Sequence, residues 1–297
     1  MTNSMTAMAA CAAALWGAAT IGSAAAQPLD PTNTEDALTI SRKIACSTED
    51  GAPSTYWWHG AAYSRRQGER DKHLFDVEGM NVRACVSAPE GGFNLVSREL
   101  LLYKDKNTGE VLKTWDNPWT DETVDVLHVA NDPVNGKYRP KTRTGEDYTW
   151  NGTIKGDVWW QTVTVPLYYD NVLGSEYQDE VGPYYHATEM FNFLGETASL
   201  LDREATTAGA VKVGWVRMSD WLPWMKMAGR EGVIYMHTAG RKLESWDDLP
   251  ASMKQEIRTY YPEYDAPPPT DDDRANITSW KYYDQVKKGE VKAPKRK

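Results

Sequence analysis

The chain has 297 residues, enough for one large domain or two small ones, and a formal net charge of −9. An acidic surface of this kind repels phosphate backbones, so nucleic acid is not expected as a partner. Its aromatic residues are 13 Trp and 16 Tyr against only 4 Phe. Rings with a polar tip suit walls that are half apolar and half wet, as in ligand cavities.

Met1 to Ala26 contains no Asp, Glu, Lys or Arg, and an Ala-rich apolar stretch ends in Ala24-Ala25-Ala26 before Gln27. This pattern predicts a cleaved signal peptide over residues 1–26 and a periplasmic or secreted protein. A membrane anchor is the rival reading, but the apolar run is short for a span of about 20 residues. No later segment is long and apolar enough to cross a bilayer, so no integral membrane segment is expected in the mature chain. Cys46 and Cys85 remain after such a cleavage. In an oxidising compartment they either pair or stay as two buried thiols, and their spacing does not decide between these.

Residues 27–53 read as an N-terminal segment running into a short helix from Ala37 to Ile44, with Thr34-Glu35-Asp36 at its cap. From residue 54 to 262 short runs rich in Trp, Tyr, Val and Thr alternate with Gly, Asn, Asp and Pro. These predict antiparallel strands near 55–63, 73–87, 93–104, 110–116, 122–130, 147–155, 157–169, 184–194, 210–218 and 232–241. The fold class expected is mainly β, an antiparallel closed barrel with a few short helices capping its ends. Trp221-Leu222-Pro223-Trp224-Met225 reads as a lid over one end or a packed plug. A helix is predicted over 246–261 with Ser245 as N-cap. Residues 263–297 form a Pro-rich and then basic tail, expected to wrap the surface or dangle.

Several segments together resemble a bacterial family of uncharacterised activity, the domain of unknown function 1838. They are Ser97-Arg98-Glu99 with Tyr103, Thr108-Gly109-Glu110-Val111, Trp115-Asp116-Asn117-Pro118 and Asn131-Asp132-Pro133-Val134. Glu189-Met190-Phe191, Trp215-Val216-Arg217 and the Trp221–Met225 run extend the likeness over about residues 40–285. The resemblance implies a lipocalin-like barrel and carries no chemistry with it.

Strand alternation sorts the candidate site residues by face. Glu189 shares a face with Tyr185, Ala187, Phe191 and Phe193, where burial would raise its pKa; alternatively it pairs with a buried Arg as a strut. His128 lies with Val124 and Val126, and His237 with Val233 and Tyr235; each is a candidate partner for Glu189 or a satisfied core residue. Arg98, Arg217 and Arg83 sit on apparently apolar faces, as struts or as clamps for an anionic ligand. Tyr103, Tyr235, Trp221 and Trp224 complete the expected ligand wall. No metal, nucleotide or other cofactor motif is present in the sequence; Asp271-Asp272-Asp273 reads as a solvated acidic turn. The function expected is an exported barrel enclosing a small aromatic or alicyclic molecule. It is either a cofactor-independent acid/base enzyme of lyase, isomerase or hydrolase type, or a non-catalytic binding protein; the sequence does not set the oligomeric state.

Overall fold

A computed structural model describes residues 27–171 and 182–296; the expected signal peptide lies outside them. Helix α1 spans Thr34–Ala45. The Asn33 side chain accepts from the Glu35 and Asp36 amides, acids occupy the first turn, and Arg42 and Lys43 occupy the last. That distribution suits the helix dipole at both ends. Ala37, Ile40 and Ile44 on its apolar stripe are buried against the sheet. Cys46, at its C-cap, forms a disulfide with Cys85 and so ties the helix to the sheet. Closing a loop of that length stabilises a chain by about 4 kcal/mol on the chain-entropy account.

Among the described residues twelve strands follow. The long ones are β1 (Ser54–Arg65), β2 (Lys72–Ser87) and β3 (Phe93–Lys104) in the first half. Five three-residue strands come next: β4 (Thr114–Asp116), β5 (Thr123–Asp125), β6 (Val129–Asn131), β7 (Gly136–Tyr138) and β8 (Thr153–Lys155). Then come β9 (Val158–Asp170), β10 (Tyr184–Glu196), β11 (Lys212–Ser219) and β12 (Val233–Leu243). Ten of them form one antiparallel sheet in the order β6-β3-β2-β1-β12-β11-β10-β9-β8, with β7 also on β3; β4 and β5 make a separate hairpin. The first long strand pairs with the last over eleven positions, Thr55 opposite Leu243 through Arg65 opposite Val233. Two meanders, one from each half of the chain, are thereby zipped into a single sheet.

Gly60 marks how tightly β1 and β12 approach, because a Cβ placed there would lie 2.0 Å from the His237 carbonyl oxygen. The sheet curls around its inner face until β3 and β10 look at each other across a cavity. It does not close, and here the structure corrects the sequence reading. Among the described residues β8 pairs only with β9, while β6 and β7 pair only with β3. These three-residue strands offer too few backbone groups to seal a barrel seam. The C-terminal segment fills the slot instead. The Ile277 amide donates to the Pro133 carbonyl, and Asn276 and Asn135 exchange two hydrogen bonds. Trp280 then packs on Tyr185 with ring centres 4.1 Å apart.

Helices α2 (Thr197–Leu201), α3 (Ala251–Tyr260) and α4 (Ser279–Lys288) complete the chain. The single helix predicted over 246–261 is split. A 3-10 turn at Trp246–Asp248 carries a reciprocal Ser245–Asp248 capping box, and α3 starts after Pro250, which has no amide hydrogen to continue the first turn. Apolar side chains of α3 cover the outer face of β2 and β3, where Met80, Val82, Leu100 and Leu102 are buried with Met253 and Ile257. The tail beyond residue 263 neither merely wraps nor dangles, since Trp280 and Tyr282 are buried. No helix of the described residues is long and apolar enough to cross a membrane.

Candidate functional site

The inner face of the sheet encloses a cavity of about 260 Å³. Its walls come from both meanders: Glu99, Leu101 and Tyr103 from β3, Tyr185, Glu189 and Phe191 from β10, with Trp215 and Arg217 from β11. Asn131 of β6 and the stretch from Asn276 to Ser279 close the side where the sheet stays open. Rings and aliphatic groups make up most of the lining, and Glu99, Glu189 and Arg217 are its charged side chains.

Strand register explains how these groups meet. Glu189 lies directly opposite Arg217 on the β10–β11 pair. The Arg217 guanidinium donates one nitrogen to the Glu189 carboxylate and another to the Tyr185 hydroxyl. Burial works against the Arg217 charge, but the neighbouring Tyr185 and Glu189 more than offset this and raise its pKa. Burial also pushes the Tyr185 hydroxyl up to about 12, so it stays protonated. Glu189 is thus the fixed carboxylate of a charge-assisted pair.

Glu99 reaches the same cavity from the opposite wall, with Asn131 directly across from it on β6. It has no salt-bridge partner within 4.0 Å among the described residues. Asn131 Nδ2 approaches it at 3.5 Å. Burial, and next the charge of Glu189, push the Glu99 carboxyl up to about 7; the charges of Arg217 and Arg83 offset this only in part. Such a group exchanges its proton near neutral pH. Glu99 was not among the candidate site residues expected from the sequence. Its signals there are that it shares a strand face with Leu101 and Tyr103 and that it belongs to the Ser97-Arg98-Glu99 segment of the family resemblance.

Four further polar atoms of the lining residues are buried without a hydrogen-bond partner: Trp58 Nε1, Asn131 Oδ1, Arg217 Nε and the Tyr169 hydroxyl. Trp58 and Asn131 are each only 8% exposed. The Trp58 indole lies flat over Gly79, where any Cβ would fall within 2.5 Å of three of its atoms. A bare backbone at 79 therefore sets where that N–H sits.

Of the residues singled out from the sequence, Glu189, Arg217 and Tyr103 line the cavity. Others lie elsewhere. His128 sits behind Tyr103, stacked on its ring at 5.7 Å. Its Nδ1 accepts from the Tyr103 amide and its Nε2 bonds to the Leu112 carbonyl. Burial lowers its pKa to about 3, so it is a neutral structural group. His237 and Tyr235 point to the outer face of β12; His237 is exposed, and Tyr235 stacks on Tyr63 at 5.2 Å. No pairing of either histidine with Glu189 exists. Arg98 faces away from Glu99 and donates to the carbonyls of Glu263 and Ala266, beside Asp132 at 3.1 Å. It is a strut for the C-terminal segment. Arg83 stacks over Tyr56 at 4.8 Å and donates to Asn81.

Trp224 packs beneath the cavity among Phe75, Tyr103 and Trp115. Trp221 packs against Trp119 and donates its indole N–H to the Arg230 carbonyl. The segment from 221 to 227 is buried core apart from the exposed Lys226, and within it Leu222 reaches the cavity wall. Among the described residues no cluster of three His, Cys, Asp or Glu side chains is arranged to hold a metal; Asp272 is taken by Arg274 at 2.8 Å.

No curated protein matches the chain. Residues 51–287, from the turn before β1 to the last turn of α4, match a family described as Protein of unknown function (DUF1838). That span takes in every strand and the whole cavity wall, and on it the chain belongs to the DUF1838 family.

Proposed function

We propose that this is an exported protein that encloses a small aromatic or alicyclic molecule in the inner-face cavity and moves a proton on it. The observation that carries the reading is Glu99, a half-buried carboxyl poised near neutrality, facing the Glu189–Arg217 pair across an apolar, ring-lined space. A general acid or base works best when its pKa lies near the working pH. Glu189 is held by Arg217, so the proton-transfer role falls to Glu99. The Arg217–Tyr185 donors supply fixed positive potential where negative charge develops on the reacting molecule. Elimination and isomerisation need a proton-transfer group and such donors, and hydrolysis needs in addition a water molecule as nucleophile, activated by the same carboxylate. The disulfide between Cys46 and Cys85 suits an oxidising compartment and supports export.

Native mass spectrometry of protein purified from its own cells tests the reading in two steps. The denatured mass is expected to start the chain at Gln27, and the native mass is expected to carry a small molecule. That molecule, resupplied, is expected to be converted by the wild type and only bound by Glu99→Gln. Conversion by Glu99→Gln at the wild-type rate overturns the role of Glu99. Binding without conversion by either protein makes this a carrier, the alternative the same cavity allows.

A further inference from the structure

The cavity's charges and unpartnered polar atoms restrict what it can hold beyond shape. This step rests on the reading of the cavity as a ligand site. Arg217 is the cation in its wall, and its two terminal nitrogens are engaged by Glu189 and Tyr185. An anionic ligand would have to draw Arg217 away and leave the half-buried Glu189 unpaired, while itself lying near Glu99. An ammonium ligand would require Glu99 to ionise beside Glu189 and would itself lie near Arg217. Burying an unpaired charge costs far more than a neutral hydrogen-bonding group does. From the other elements the wall receives no formal charge: Trp58 from β1, Met236 from β12, Asn131 from β6, and Asn276 to Ser279 from the C-terminal segment.

The unpartnered atoms give the polarity. Trp58 Nε1 and Arg217 Nε are donors that need an acceptor. Asn131 Oδ1 is an acceptor that needs a donor, and the Tyr169 hydroxyl, also unpartnered, can serve as either. Leaving such atoms unmatched is costly in a dry site, so the fitting molecule must present both. Between them stand Phe191, Trp215 and Tyr103, flat walls suited to a ring. We infer that the cavity selects an uncharged oxygenated ring compound, one bearing a carbonyl or ether oxygen and a hydroxyl, over anions and ammonium ions of the same size.

Three probes of one ring and matched length test this on the full mature chain at pH 6.5 by titration calorimetry: neutral 4-hydroxyacetophenone, anionic 4-hydroxybenzoate and cationic tyramine. The neutral probe is expected to bind at least tenfold more tightly than either ion. Trp58→Phe keeps the ring but removes the donor, and Asn131→Leu removes the acceptor; each is expected to weaken the neutral probe about five- to tenfold. Tyr168→Ala, on the exposed outer face, is expected to leave it unchanged. Equal or tighter binding of either ion overturns the inference while leaving the ligand cavity standing, as does neutral binding indifferent to both substitutions. If none of the three binds, the ligand-site reading falls and the inference with it.

Discussion

Glu99 and Glu189 bring the same functional group into one cavity, and their surroundings give them different work. Glu189 has a guanidinium opposite it in register. Glu99 has an amide nitrogen at 3.5 Å and a hydrophobic wall. The consequence extends to stability. Glu99 titrates near 7 in the folded chain but at an ordinary carboxylate value when unfolded, so between those pH values the folded state binds more protons. Stability then falls as pH rises through that window and stays reduced above it, by roughly 3 kcal/mol. His128 acts in the opposite sense, since its lowered pKa removes stability as pH falls below the unfolded histidine value. Comparing wild type with Glu99→Gln cancels the His128 contribution. In urea melts from pH 4.5 to 8, the variant is expected to gain stability relative to wild type as pH rises. A difference flat with pH would mean that Glu99 is an ordinary carboxylate. The sequence could not have chosen Glu99 over Arg98. Both faces of β3 are buried, one on the cavity side and one under α3, so either parity reads as apolar. On β12 the set Val233, Tyr235 and His237 begins with apolar and aromatic residues yet is the outer one, with His237 exposed; the buried inner set holds Ile234 and Met236.

At the scale of elements, what is local was legible and what is distant was not. The long strands stand within a few residues of where alternation puts them, because each carries its own pattern of rings, β-branched residues and turn formers. The helix expected over 246–261 is broken because its apolar spacing runs through Pro250, and the helical backbone cannot. The bend between β1 and β12 left a fainter trace, a glycine within a strand. At Gly60 the methyl of alanine would meet backbone, not a flexible side chain: 2.0 Å from the His237 oxygen and 2.6 Å from the Thr238 Cα. Backbone can yield only by parting the two strands that hold the meanders together. Gly60→Ala is therefore expected to lower stability by at least about 2–3 kcal/mol, well beyond the usual cost of a surface substitution. A thermal melt within one degree of wild type would show that the strands separate cheaply, and that the curl does not depend on this contact.

For the molecule as a whole, the decisive fact is one that no run of residues announces: where the curled sheet ends. Ten strands suffice in number for a barrel, and the aromatic bias called for a lined space. Yet closure depends on pairing between short edges far apart in sequence. The open side is covered by a segment that reads, by composition, as a Pro-rich and basic tail. Its anchor is Trp280, 2% exposed and packed on Tyr185, whose hydroxyl in turn receives Arg217. Stability and site are coupled through this one contact. Trp280→Ala is expected to cost about 3–5 kcal/mol, as truncating a buried tryptophan does. It is also expected to loosen the wall formed by Asn276 to Ser279 and to admit water to the Arg217–Glu189 pair. Hydrogen exchange distinguishes this from a general loss of stability. A wall seated by Trp280 predicts faster exchange confined to the C-terminal segment, β6 and the adjoining end of β10, with β1 and β2 still protected. If exchange rises evenly across the sheet, Trp280 is core like any other and the segment does not act as the missing side of the barrel.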